Sequence, residues 1–145
     1  MRKRWLLRTG WGLLIAPRVG FRVLGTSSRD DYAARAKIEQ GHRVAKGVTT
    51  AIGKRWRQTQ TFPHSNEEAG IAPPEAFGGP YVESLAVTDN ASIVVRYVNS
   101  AKLPNGVRGR AIVFVPKPEA DGLNWDCTKG DMPGNFRPRN CRGVE

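Results

Sequence analysis

One apolar stripe runs through residues 30–57 and predicts a single long helix there. The stripe residues recur at alternating spacings of four and three, which places them on one helical face. They are Ala34, Ile38, Gly41, Ala45, Val48 and Ile52. Asp30 and Asp31 precede the stripe and suit the first turn of a helix. Because three stripe residues are alanine or glycine, we expect the helix to pack closely against its partner.

After residue 80 the apolar spacing changes to period two, which is typical of strands. Tyr81–Thr88 and Ala91–Val98 both alternate, and they flank Asp89 and Asn90. A dipeptide of this kind between two alternating runs predicts a β-hairpin.

Two further strands are expected before the end of the chain. Arg110–Val115 predicts a third strand, stopped by Pro116 and Pro118, and Leu123–Cys127 predicts a short fourth. A long helix followed by four consecutive antiparallel strands, within residues 81–127, predicts an α+β fold with the helix packed on the sheet.

The segment between helix and strands, residues 58–80, is predicted to be a connector without regular structure. It contains Phe62-Pro63, Pro73-Pro74 and Gly78-Gly79-Pro80. These helix and strand breakers are too frequent for a regular element. A long connector of this kind is usually functional or packed on the surface.

The chain has only two cysteines, Cys127 and Cys141, and they bound a loop rich in Gly, Pro and Asn. A disulfide would hold such a loop, and closing it is worth about 3 kcal/mol in the chain-entropy model. It would also indicate an oxidising compartment. Two unpaired thiols are the alternative. His42 and His64 lie far apart in sequence and show no ligand spacing with the cysteines, so no metal site is expected.

The formal net charge of +10 lies entirely in the first 60 residues, which hold 14 Lys and Arg against 3 acids. Residues 1–29 are basic, and their one clean apolar run, Trp11–Ala16, is far shorter than the ~20 residues that span a bilayer. It is also short for a signal peptide. We predict a disordered or non-native segment, and a basic amphipathic segment lying at a membrane surface is the alternative. The N-terminus by itself therefore gives no support for export.

Catalytic constellations are absent from the sequence patterns. There is no HExxH motif and no Ser/His/Asp set with local signatures. Asp121, Asp126 and Asp131 recur at five-residue spacing but match no calcium loop. The chain is therefore predicted not to be an enzyme and to need no cofactor.

Three segments together resemble the bacterial type IV pilins. Asp31–Lys37 is similar to the family's Asp-Tyr-Thr-Ala-Arg-Ala segment, and Ala45–Ala51 to its Ala-x-Gly-x-x-Thr-Ala stretch. Trp125-x-Cys127 with Pro138-x-Asn140-Cys141-Arg142 resembles the family's closing Trp-x-Cys and Pro-x-Asn-Cys-Arg. The resemblance covers roughly residues 30–142, most of the chain.

This resemblance implies a pilin-like domain over residues 30–145 and a Cys127–Cys141 disulfide, with Trp125 packed beneath it. The disulfide-bounded loop, residues 127–141, would be displayed on a fibre. Candidate contacts to DNA or another partner are three arginines expected on its basic surface: Arg137, Arg139 and Arg142.

The function implied is that of a structural subunit of a type IV pilus filament, or fimbrium, mediating cell adhesion and twitching motility over surfaces. Its partners would be other pilin subunits, the pilus assembly machinery, and host or abiotic surfaces. Its location would be the extracellular pilus, preceded by the periplasm or inner membrane.

The N-terminus departs from the family pattern. Pilins begin with a leader ending in Gly before a Phe, then about twenty apolar residues, with Glu at the fifth place. Gly20-Phe21 is similar to the cleavage pair, but Gly25 stands at the fifth place and Arg22 interrupts the apolar run. Filament assembly is therefore expected only if a native N-terminal helix is present.

The alternative is a DNA-binding, competence-type pilin active in DNA uptake, or a basic nucleic-acid-binding protein. Trp56 would stack on bases and helix cations would contact phosphates. These cations are Arg35, Lys37, Arg43, Lys46, Lys54, Arg55 and Arg57. A secretion-system pseudopilin is a third reading, against which the stapled loop argues.

Overall fold

The structure is a computed structural model that describes residues 26–144, with side chains from residue 29 onward. Its elements are the helix α1 (Thr26–Thr59) and the strands β1 (Val82–Val87), β2 (Ile93–Tyr97), β3 (Ala111–Glu119) and β4 (Gly122–Lys129). Of the segment predicted to be disordered or non-native, residues 1–25 lie outside the described residues. Residues 26–29 belong to α1, which therefore begins four residues before its predicted start. Among the described helices, none combines the length and apolarity needed to cross a membrane.

The apolar stripe of α1 is its buried face, as predicted. All six stripe residues are buried, and Ile38 and Ala45 are fully inaccessible. The helix extends two residues beyond the predicted end at residue 57. It ends where Gln60 adopts a left-handed φ of 53°, while the Gln60 N–H still bonds the Trp56 carbonyl at 2.8 Å.

The four strands form one antiparallel sheet in the order β1-β2-β3-β4, which confirms the predicted fold. The pairing register aligns Leu85 with Val95, and Val95 with Ile112. All three side chains are fully buried, so this row forms part of the sheet face that α1 covers. The helix and sheet therefore share one core.

The expectation that Pro116 stops β3 is wrong, because the strand continues to Glu119. Strand β2 pairs with β3 only as far as Phe114, so beyond that residue β3 has β4 as its single neighbour. Pro116 and Pro118 are two residues apart, so their backbone nitrogens point toward the same edge of β3. A proline without an N–H is accepted where that edge is unpaired.

Helix and sheet approach each other closely at Gly41. The buried Tyr97 hydroxyl donates to the Ile38 carbonyl oxygen at 2.7 Å. A Cβ atom at Gly41 would overlap the Tyr97 ring and lie 2.9 Å from Val95 Cγ1. Burial raises the pKa of Tyr97 well above its usual value, so the hydroxyl stays protonated and able to donate.

The connector, residues 58–80, packs along β1 and contains one short 3-10 turn, Pro74–Phe77. Its Asn66 side chain is buried and bonds the β1 backbone like a neighbouring strand. The amide nitrogen donates to the Leu85 carbonyl at 2.9 Å, and the amide oxygen accepts from the Val87 N–H at 2.6 Å. The connector thus occupies backbone groups of an end strand of the sheet.

Candidate functional site

A disulfide joins Cys127 to Cys141, with Cα atoms 4.8 Å apart. It ties β4 to the 3-10 turn Arg139–Cys141, and both cysteines are buried. The alternative of two unpaired thiols is therefore wrong for the described structure. We call residues 127–141 the stapled loop.

Arg137 corrects one expectation, because it lies inside the stapled loop and is only 4% exposed. Its guanidinium donates to four backbone carbonyls: Met132 at 2.7 Å, Cys127 at 2.9 Å, Lys129 at 2.8 Å and Gly130 at 2.9 Å. Five donors in a planar fork suit converging carbonyls. Arg137 therefore organises the loop from within and is not part of its basic surface.

The other two predicted arginines remain at the surface. Arg139 and Arg142 are both exposed, and Arg142 Nε donates to the Arg137 carbonyl at 3.0 Å. With the exposed Lys129, they make the outside of the stapled loop basic. They stay candidate contacts for DNA or another partner.

Asp131 attaches the stapled loop to the sheet. Its carboxylate accepts from the Ala111 N–H at 2.7 Å and pairs with Arg110 at 3.5 Å. The hydrogen bond from Ala111 is the largest cause that lowers the pKa of Asp131. Next to it, Gly130 has a φ of +96°, and a Cβ there would overlap the Ala111 carbonyl group. Glycine is therefore required at position 130, because the backbone of Ala111 leaves no room for a side chain there.

Asp126 has a separate role on β4. It accepts from the Thr128 hydroxyl at 2.6 Å and pairs with Lys117 at 3.1 Å. The Thr128 hydrogen bond is the main cause that lowers the pKa of Asp126. Among the described residues, Asp121, Asp126 and Asp131 do not converge into a group that could hold an ion.

His42 is the residue that sequence reasoning missed. Its Nδ1 lies 3.7 Å from Cys141 Sγ, and its ring packs on Phe114 with centroids 5.6 Å apart. Helical spacing could have identified His42 as a residue near the core. It stands four residues after Ile38 and three before Ala45, and therefore flanks the buried stripe. The long sequence distance to the cysteines concealed the contact.

A cavity of about 310 Å³ opens beside His42 and the disulfide. Its wall includes Lys46 of α1, the half-buried Trp125, and the amides of Asn124 and Asn140. Trp125 thus lies on the same side of β4 as Cys127, whereas His42 is the ring that contacts the disulfide sulfur. That Trp125 packs directly beneath the disulfide stays a prediction.

The α1 cations that the nucleic-acid-binding hypothesis assigns to phosphate contacts differ in their surroundings. Lys37 donates to the Lys102 carbonyl at 2.8 Å, while Lys46, Lys54 and Arg55 are exposed. The Trp56 ring stacks on Phe62 with centroids 4.3 Å apart. One face of the ring assigned to base stacking is therefore covered by the protein itself.

Comparison with known proteins identifies the class to which this helix, sheet and stapled loop belong. The family model for pilin, a bacterial filament protein, matches residues 34–142. The match covers most of the chain, and the chain therefore belongs to the pilin family, as the resemblance predicted. Proteins of this family are structural and not enzymes, which agrees with the expectation from the sequence.

Particular relatives come from Neisseria. The fimbrial protein of Neisseria meningitidis serogroup B strain MC58 is 26% identical over 97 residues, which cover 67% of this chain and 56% of the relative. The type IV major pilin protein PilE of Neisseria gonorrhoeae is 25% identical over 97 residues, 67% of this chain and 57% of the relative. The matched region therefore spans a little more than half the length of these relatives.

Proposed function

We propose that this chain is a structural subunit of a type IV pilus filament and displays its stapled loop on the filament surface. The observation that carries the proposal is the stapled loop itself, closed by a buried disulfide and organised by Arg137. A loop held in this way, with its Met132 side chain in the hydrophobic core, keeps a defined shape. Membership of the pilin family supports the same assignment.

Other pilin subunits are the proposed partners, through the face of α1 that its own sheet leaves open. Tyr32 is 74% exposed on this helix. Small residues also lie exposed along it, and these permit close approach of a neighbouring helix: Ala33, Ala36, Gly47 and Ala51. Assembly by the pilus machinery would follow residence in the periplasm or inner membrane and end in an extracellular filament.

The test is the composition of surface filaments on cells that produce the full chain. We expect filaments sheared from these cells to contain the chain, and antibodies against the native stapled loop to label them along their length. A Cys127→Ser/Cys141→Ser variant should lose this labelling, because the antibodies recognise the closed loop. Sheared filaments that lack the chain, with all of it retained in the cells, would contradict the proposal.

Adhesion and surface motility are the proposed uses of the filament, with Arg139 and Arg142 as the contact residues. Both are exposed, Arg139 within the stapled loop and Arg142 directly after it. We expect an Arg139→Ala/Arg142→Ala variant to keep filaments but reduce attachment to anionic surfaces. The matched control is Arg96→Ala/Lys102→Ala, which removes the same charge from exposed positions outside both α1 and the stapled loop. Equal attachment by the two variants would show that Arg139 and Arg142 have no specific role in adhesion.

A DNA-binding pilin is the second candidate, favoured by the exposed cations on both α1 and the stapled loop. Phosphate contacts make affinity fall steeply with salt, because they release counterions. We expect duplex binding measured by fluorescence anisotropy to weaken in the Arg139→Ala/Arg142→Ala variant, with a shallower salt dependence. Loss only in the Lys54→Ala/Arg55→Ala variant would assign binding to the helix instead.

A further inference from the structure

Three metal-ligating side chains converge beside the cavity next to the stapled loop. His42, Cys127 and Cys141 place their ligand atoms within 4.8 Å of one another, and they are the one such group found among the described residues. Imidazole nitrogen and thiolate sulfur are the ligands that zinc prefers. We propose that, when the disulfide is reduced, these three residues bind one zinc ion that holds the stapled loop in place of the disulfide.

The distances fit a tetrahedral zinc site. Zn–N bonds of about 2.0 Å and Zn–S bonds of about 2.3 Å put the nitrogen and sulfur ligands roughly 3.5 Å apart. His42 Nδ1 already lies 3.7 Å from Cys141 Sγ. The two sulfurs must separate to about 3.8 Å around the same ion. With the cysteine Cα atoms 4.8 Å apart, rotation of the side chains achieves this.

The site is supported by three different elements. His42 comes from the middle of α1, Cys127 from β4, and Cys141 from the 3-10 turn that closes the loop. The Phe114 ring packs against the imidazole and holds its orientation. The cavity of about 310 Å³, which His42 and Cys127 help to line, leaves room for a water molecule as the fourth ligand.

The exchange between the two states balances. A dithiol reductant gives two electrons and two protons to the Cys127–Cys141 bond, forming two thiols while the reductant becomes a disulfide. Zinc then binds both sulfurs as thiolates and releases the two protons. The metal and the disulfide use the same sulfur atoms, so each excludes the other. Zinc would therefore protect the reduced loop from oxidation until the metal is removed.

The test is zinc affinity of the full chain, reduced with a phosphine and titrated without oxygen against a chromophoric chelator. We expect the reduced wild type to bind one zinc ion and the oxidised wild type to bind none at this site. His42→Ala should weaken binding at least about tenfold, since even loss of a group that only orients a ligand costs about 10–100-fold. His64→Ala is the control, because His64 is 58% exposed and lies in the connector.

Cobalt(II) gives a second, structural measurement on the same reduced chain. We expect the intense visible bands of tetrahedral cobalt in the wild type and in His64→Ala. The proposal is overturned if reduced wild type binds zinc no more tightly than His42→Ala. The same result would arise if the chain unfolds on reduction and its two thiols bind zinc alone, so that case also counts against the proposal. A weak octahedral cobalt spectrum, or equal binding by the oxidised chain, would overturn it as well.

Discussion

A buried guanidinium organises the stapled loop from within, beside the apolar packing of Met132. The four carbonyls that accept from Arg137 belong to residues between Cys127 and Met132, at the start of the loop. Burial lowers the pKa of Arg137, yet an arginine remains charged in proteins. Arg137 and Arg139 stand on either side of Pro138, and no sequence pattern shows which of the two faces inward. That choice depends on the direction of backbone carbonyls, which exists only in the folded loop.

Replacing Arg137 by Ala should destabilise the protein by about 2–5 kcal/mol, because buried carbonyls lose their donors. Arg137→Lys should recover only part of this loss, since a lysine cannot donate along the same planar fork. Urea unfolding followed by tryptophan fluorescence measures the change. The control, Arg139→Ala, alters an exposed residue and should stay within about 0.5 kcal/mol of wild type. Equal effects of the two alanine variants would show that Arg137 does not organise the loop.

Gly41 and Gly47 offer a matched pair on the same helix. A Cβ at Gly41 meets the Tyr97 ring, whereas a Cβ at Gly47 meets nothing within 4 Å. We expect Gly41→Ala to destabilise by about 1–3 kcal/mol through overpacking. Gly47→Ala should stabilise by up to about 1 kcal/mol, because alanine favours the helix. Thermal unfolding of both variants checks the signs, and a stabilising Gly41→Ala would contradict the close approach.

At the scale of elements, a buried polar side chain meets each end strand of the sheet. Asn66 bonds Leu85 and Val87 on β1, and Arg137 bonds the carbonyls of Cys127 and Lys129 on β4. Unpaired end strands are templates for association with other chains. Alternation predicted the strands themselves, because it is local. These side chains could not be predicted, since Asn66 and β1 meet only after the connector folds back.

Removing the Asn66 side chain should expose the edge of β1. We expect Asn66→Ala to cost about 1–3 kcal/mol, because a buried N–H and carbonyl lose their partners, and to increase aggregation on mild heating. Urea unfolding and light scattering measure the two effects. The control is Asn105→Ala, at an exposed position in the loop between β2 and β3. Unchanged scattering in Asn66→Ala would mean that the edge is protected by other contacts.

At the scale of the whole molecule, some contacts could be predicted from the sequence and others could not. The α1 stripe, the strand order and the stapled loop follow from periodicity and from the pilin-like motifs. The meeting of His42 with Cys141 joins residues from opposite ends of the described chain. The spacing of these residues does not predict the contact, because the contact forms only when α1 packs across the sheet and reaches β4. Long-range chemistry of this kind requires the assembled fold.

The carboxylate that ties the stapled loop to the sheet makes the stability of the whole molecule depend on pH. The pKa of Asp131 is lowered in the folded state, chiefly by the Ala111 N–H, relative to about 3.9 in an unfolded chain. Below its unfolded pKa, the unfolded chain binds the proton more readily than the folded one. The stability that Asp131 provides is therefore complete above about pH 5 and is lost as the pH falls toward its folded pKa.

Asp131→Asn tests this argument, because asparagine keeps an oxygen for the Ala111 N–H but loses the charge that Arg110 pairs with. We expect the variant to be less stable than wild type at pH 7, and this difference to shrink as the pH falls below about 4. Urea midpoints measured between pH 7 and pH 2.5 give the comparison. Asp121→Asn, at an exposed position in the turn between β3 and β4, is the matched control and should show a smaller difference at pH 7. A difference for Asp131→Asn that stays constant with pH would contradict the argument, because the lost stability would then not come from the carboxylate charge.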